Sequence, residues 1–178
     1  AYMYTAEYQQ NVAKLILLSS GPFEKKYADK IMKTRLSRLD QDDQVMLLTL
    51  FETFDKSDIY LREIIRLIEK ADAYKQMPHE DTAISFNYNI YKNIWNEADE
   101  LRRTGNLLSL GEKINCPVMA LHGDYDPHPY EGVIMPLSRV IKDFKYEIIE
   151  KCGHHPWFEE HAKDKFYEVL KRELNELY

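Results

Sequence analysis

The stretch Pro117-Val118-Met119-Ala120-Leu121-His122-Gly123-Asp124-Tyr125-Asp126-Pro127-His128 changes character at its middle. Five apolar residues run straight into a turn dense with ionisable groups. An apolar run this short, closed by Gly-Asp, predicts a strand buried on both faces, as in parallel sheets. Two other stretches read the same way. Upstream, Val12–Leu18 is nearly continuous apolar and rich in branched residues, and Ser19-Ser20-Gly21-Pro22 ends it with loop chemistry. Downstream, Lys145-Tyr146-Glu147-Ile148-Ile149 alternates polar and apolar as a third strand does.

The segments around these strands are helical in pattern. Ala1–Gln10 reads as the end of a helix, with Tyr4 and Tyr8 at i, i+4 and no start signal before them. From Phe23 to Leu110 charge rises and a 3.6-residue period takes over. Ile31, Leu36 and Leu39 mark one helix, and Val45, Leu48, Phe51 and Phe54 a second. Ile59, Ile64, Leu67 and Ile68 mark a third, opened by Ser57 or Asp58. Tyr88, Tyr91, Ile94, Trp95, Ala98 and Leu101 mark a fourth, closed near Gly105. Val133–Ile141 reads as a short helix despite Pro136, and Trp157–Leu177 as a closing helix with Glu159 and Glu160 near its positive end. Strand, helical insert, strand, helix, strand, helix is an α/β pattern with a parallel sheet. The expected division is a core of residues 1–22 and 111–178 carrying three parallel strands flanked by helices, with residues 23–110 as a helical cap.

Composition narrows the function. The chain has 178 residues and a net charge of −6, which disfavours a nucleic-acid backbone as partner, since phosphate neutralisation needs clustered Lys and Arg. Two cysteines, Cys116 and Cys152, make no disulfide framework, so a reducing, cytoplasmic setting is expected. No apolar run approaches the roughly 20 residues of a membrane span.

Five of the six histidines lie between positions 122 and 161. Four of them gather in His122–His128 and in Gly153-His154-His155-Pro156, each at the end of a predicted strand. In open α/β sheets that edge holds ligands and catalytic groups. An Asp at one strand end meeting a His at the next would fix the imidazole tautomer and leave the other ring nitrogen as a base. Asp124 competes with Asp126 for the first role, and His155 with His154 for the second.

These residues resemble the C-terminal part of the α/β-hydrolase superfamily, and the likeness runs over nearly the whole chain. It rests on Val12–Leu18 before a helical cap, on Cys116-Pro117 leading into a strand that ends His122-Gly123-x-x-Asp126, and on Gly153-His154 followed by Pro156 and an amphipathic helix. The acidic, Tyr-rich, capped pattern is most similar to the proline-iminopeptidase and epoxide-hydrolase-like branch. The resemblance implies that Asp126 is the acid and His154 the base of a nucleophile–His–Asp triad acting on an ester, amide or related bond, with no metal and no organic cofactor. A small-molecule substrate would lie under the cap. One departure stands out: none of the six glycines frames a Ser, Cys or Asp as G-x-S-x-G does. The expectation is a C-terminal fragment with no nucleophile in this chain, inactive by itself.

Other readings accompany this one. The chain could be a catalytically silent assembly module, forming a homodimer through the edge of Val12–Leu18. A metallohydrolase could use His122, Asp124, Asp126, His128, His154 and His155, whose types suit zinc or iron. Their spacing matches no strong metal signature, and His79-Glu80 has Ala83 where a second His would be needed. Cys152 reads as a buried thiol rather than a nucleophile, and Ser19 and Ser20 as loop formers. Phe51, Phe54, Tyr60, Tyr88, Tyr91 and Trp95 read as cap packing, a few of them lining a pocket.

Overall fold

A computed structural model describes residues 1–52, 58–78 and 88–175, the side chains of Asp58, Ile59, Tyr88, Asn89 and Tyr91 excepted. Three strands, β1 (Leu15–Leu18), β2 (Val118–Gly123) and β3 (Phe144–Ile149), form a parallel sheet in that order. β2 lies in the middle and every residue of it is buried, as its unbroken apolar run requires. α1 (Tyr2–Glu7) precedes β1. α8 (Glu131–Val140) joins β2 to β3, and α9 (Lys163–Asn175) closes the chain. One face of the sheet packs Leu15, Leu17, Val118 and Ala120 against Tyr2, Val133, Leu137 and Ile141. The other packs Met119, Leu121 and Ile149 against Ala162, Phe166 and Val169.

Between β1 and β2 run α2 (Lys25–Ala28), α3 (Ile31–Arg38), α4 (Gln41–Glu52), α5 (Asp58–Asp72), α6 (Tyr88–Arg103) and α7 (Asn106–Ser109). A separate apolar cluster of Leu39, Leu47, Ile64, Leu67 and Ala71 holds α3, α4 and α5 together. Phe23, Leu107 and Leu108, from the two ends of the insert, pack instead with the sheet. Gly105, at φ 77°, takes the left-handed conformation that ends α6. No described helix is long and apolar enough to cross a membrane.

The structure corrects several boundaries. β1 begins at Leu15 rather than Val12, because Val12 closes a 3₁₀ turn through its N–H to the Gln9 carbonyl. Lys14, just before β1, turns aside to a buried ion pair with Glu173 at 2.7 Å. α8 begins at Glu131, which puts Pro136 inside the helix. Pro136 cannot donate to the Gly132 carbonyl, and the Phe23 N–H takes that acceptor at 2.9 Å. The lost helical bond thereby ties the end of the β1 loop to α8.

The closing helix begins at Lys163 and not at Trp157. Pro156–Phe158 is a 3₁₀ turn, and extended Glu159 pairs with Gln76, after α5. Glu159 is therefore no helix-end charge but a buried acceptor. α4 also presents a different face from the one its spacing predicts. Val45, Leu48 and Phe51 are 59%, 46% and 44% exposed, and Leu47 is the buried residue. Apolar residues surround α4 on nearly all sides, so periodicity alone does not select its inward face. Ile94 and Trp95 of α6 are likewise exposed. Phe54, Ser57, the His79-Glu80 pair and Ala83 lie outside the described residues.

Candidate active site

Two glycines set the site's spacing. A Cβ on Gly123, the last residue of β2, would lie 2.1 Å from the Cys152 carbonyl oxygen. A Cβ on Gly153 would lie 2.1 Å from the Asp72 carbonyl oxygen. Only glycine permits either approach. The loops after β2 and β3 therefore touch, and the end of α5 lies against the second. Tyr125 N–H donates to the Cys152 carbonyl at 2.9 Å, Asp124 N–H to Ile149 at 3.0 Å, and His154 N–H to Asp72 at 3.0 Å.

On this frame Asp126 and His154 meet: His154 Nδ1 donates to Asp126 Oδ2 at 2.9 Å. The competing residues lie elsewhere. Asp124 is exposed and accepts the Cys152 N–H. His155 stacks on Trp157 and contacts the edge of Phe158.

The Asp126 carboxylate has more partners than the sequence suggested. Its Oδ1 accepts both the His128 backbone N–H at 2.9 Å and His128 Nδ1 at 2.8 Å. His122 Nε2 lies 3.3 Å from Oδ2 and donates to the His128 carbonyl at 2.8 Å. Burial alone would raise the Asp126 carboxyl, yet hydrogen bonds from His128 and His154 and the surrounding imidazoles hold it far below the ordinary carboxylate range. Burial pushes His122 down, against the pull of Asp126, so it stays neutral. The Asp126–His128 backbone bond is an Asx turn, and Asp-Pro-His was its signal in the sequence.

Glu159, 1% exposed, was also missed. Its carboxylate accepts the N–H groups of Gly153 at 2.9 Å and of Tyr74 and Lys75 at 2.7 Å each. It thus staples the segment after α5 to the His154 loop. Nothing in the local sequence distinguished it from a helix-end charge, because its donors lie in a remote segment.

Asp72, His128 and His154 each bring a potential ligand atom within 4.8 Å of the others. Arg35 already holds both Asp72 oxygens, at 2.7 and 2.6 Å, and the His128 and His154 rings pack against each other, tilted by 31° with centroids 4.5 Å apart. A guanidinium therefore stands where a cation would have to neutralise Asp72, and the arrangement fits a polar network better than a metal centre. Cys152 is fully buried, and burial pushes its thiol up to about 12, which leaves no thiolate at neutral pH. No serine, threonine or cysteine bonds to His154 among the described residues. Ser19, at the carboxyl end of β1, is buried at φ 43°, its hydroxyl without a partner among the described residues.

An apolar cavity of about 620 Å³ lies along α4 and α5, lined by Val45, Met46, Leu50 and Tyr60 among others. None of its lining residues belongs to the loops that carry Asp126 and His154.

No protein-family model and no curated protein sequence matches the chain. Solved structures do. VinJ is similar with a TM-score of 0.66 at 17% identity, covering 99% of this chain and 62% of that one. A proline iminopeptidase of Mycobacterium smegmatis is similar with a TM-score of 0.59 at 11% identity, covering 99% and 61%. The chain thus spans about three fifths of the length of the structures it matches. Its three parallel strands, flanking helices and helical insert are the fold of the corresponding part of the α/β hydrolases.

Proposed function

We propose that this chain supplies the acid and the base of a nucleophile–His–Asp triad in a hydrolase acting on an ester, amide or related bond. The observation that carries the reading is the 2.9 Å bond from His154 Nδ1 to Asp126 Oδ2 at the carboxyl ends of adjacent parallel strands. With Nδ1 protonated, His154 Nε2 takes the proton of the nucleophile as that group attacks the substrate carbonyl. It then gives the proton to the leaving group, and water repeats the sequence to release the acyl part. Asp126 stays ionised throughout, as its depressed pKa requires, and stabilises the imidazolium. The attacking group and the oxyanion donors are contributed from outside these residues, and a small-molecule substrate binds between them and the cap (residues 23–110).

On this reading the chain by itself is silent. Assays with nitrophenyl esters and aminoacyl anilides are expected to show background rates only. Turnover by the isolated chain that disappears in His154→Ala would contradict the reading. The free edge of β1, which pairs with no second strand among the described residues, supports a further proposal. When the chain is alone, two copies join antiparallel through it as an isologous dimer, whereas a further strand paired on that edge would take the second copy's place. Sedimentation at micromolar concentration tests this, and a single species at the 21.2 kDa chain mass would reject it.

A further inference from the structure

The pairing of His154 with Asp126 occupies one oxygen of a carboxylate that has two. The other, Oδ1, is held entirely by His128, through its backbone N–H at 2.9 Å and its Nδ1 at 2.8 Å. A carboxylate bonded through one oxygen alone turns readily about its broad terminal torsion. Bonded through both, it has a fixed plane. His128 is itself fixed: its carbonyl accepts His122 Nε2–H at 2.8 Å, Pro127 restricts the backbone before it, and its ring lies over His154 with 4.5 Å between centroids.

We propose that His128 is a positioning residue of the Asp126–His154 pair, reserving Oδ1 so that Oδ2 is left for His154 and the Nδ1–H tautomer of His154 is enforced. The inference rests on the triad reading above. Its consequence for the base is direct, because the Nδ1–H tautomer leaves the Nε2 lone pair open. The titratable and charged groups around His154 are His122 in β2, Asp126 and His128 after it, Asp72 with Arg35 from the helical insert, and His155 and Glu159 beside it. Of these, His128 alone shares the carboxylate on the oxygen opposite His154.

The test uses the chain itself, labelled with ¹⁵N-histidine, and reads the His154 tautomer and titration midpoint by long-range ¹H–¹⁵N correlation. His128→Phe keeps a ring over His154 and removes the side-chain donor. His128→Asn restores an N–H near the same place. The backbone N–H persists in both, so the expected change is that of one hydrogen bond: an approximately fivefold fall in the His154 tautomer ratio in His128→Phe, with a moved midpoint, and recovery in His128→Asn. A natively folded His128→Phe with wild-type tautomer and midpoint overturns the proposal. So does a His128→Asn indistinguishable from it. Should His128→Phe lose its native circular dichroism, His128→Leu is read in its place. Asp126→Asn separates the two levels. If it leaves His154 unchanged, the pairing itself fails; if it moves His154 while His128→Phe does not, only the role of His128 fails.

Discussion

Along one edge of the sheet, two neighbouring strand ends are built in opposite ways. After β2, the buried carboxylate of Asp126 accepts three hydrogen bonds, two from His128 and one from His154. After β1, Ser19 is buried in a left-handed conformation with its hydroxyl bonded to nothing among the described residues. The first end is self-contained, because all its donors come from the two loops that Gly123 brings together. The second has neither the conformation nor the partner that a buried serine ordinarily finds. Preorganisation here is local to the β2–β3 edge and does not extend across the sheet.

Breaking the ordered end has the largest expected effect on stability. Asp126→Ala leaves the buried donors of His128 and His154 without an acceptor, a cost of about 3 kcal/mol in urea unfolding. Glu159→Ala strands three backbone N–H groups and is expected to cost roughly 2–3 kcal/mol, with Glu159→Gln less damaging because one oxygen remains. A loss under about 0.5 kcal/mol in Asp126→Ala would mean that the carboxylate is not the hub of this edge.

Acid sharpens the same contrast. Burial holds His122 neutral in the fold, so the unfolded chain binds more protons as pH falls below about 6.5. Stability contributed by its neutral form is lost in that window. Asp126 is depressed in the fold, so its contribution is present above the ordinary carboxylate value and is lost as pH falls from about 4 toward its folded value. Both groups act in one direction, giving a two-stage acid loss in urea midpoints. His122→Gln should flatten the upper stage and leave the lower.

The smallest effect is expected at the strained end. Ser19→Ala removes an unpartnered buried hydroxyl and should raise stability by about 1 kcal/mol, the reverse in sign of every change around Asp126. Destabilisation by that substitution would show that Ser19 has a partner and that the two strand ends are alike.

The β2–β3 edge was also the more legible in the sequence. Buried strands announce themselves by apolar runs, and Gly-Asp-Tyr-Asp and Gly-His-His-Pro mark the turns that follow. Those turns narrowed the pair to Asp124 or Asp126 and His154 or His155, and the resemblance to the α/β hydrolases singled out Asp126 and His154. His128 lay only two residues from Asp126, but its ring bond depends on a loop conformation that residue types alone do not determine. Glu159, Asp72 and Arg35 were illegible for a different reason: their partners are far away in the chain, and local pattern carries no record of them. The inward face of α4 escaped because Val45, Met46, Leu47, Leu48, Leu50 and Phe51 offer apolar surface in nearly every direction.

The central claim is that Asp126 and His154 are the acid and base of a hydrolytic triad. It is tested most directly in the product of the complete reading frame that contains this chain, by measuring kcat/KM on short-chain esters and aminoacyl anilides for the wild type, His154→Ala and Asp126→Asn. The account predicts a loss of about 10⁶-fold in His154→Ala, about 10⁴-fold in Asp126→Asn, and little further loss in the double variant beyond His154→Ala, as expected of groups that act as a unit. Wild-type turnover unchanged in both natively folded variants would contradict it.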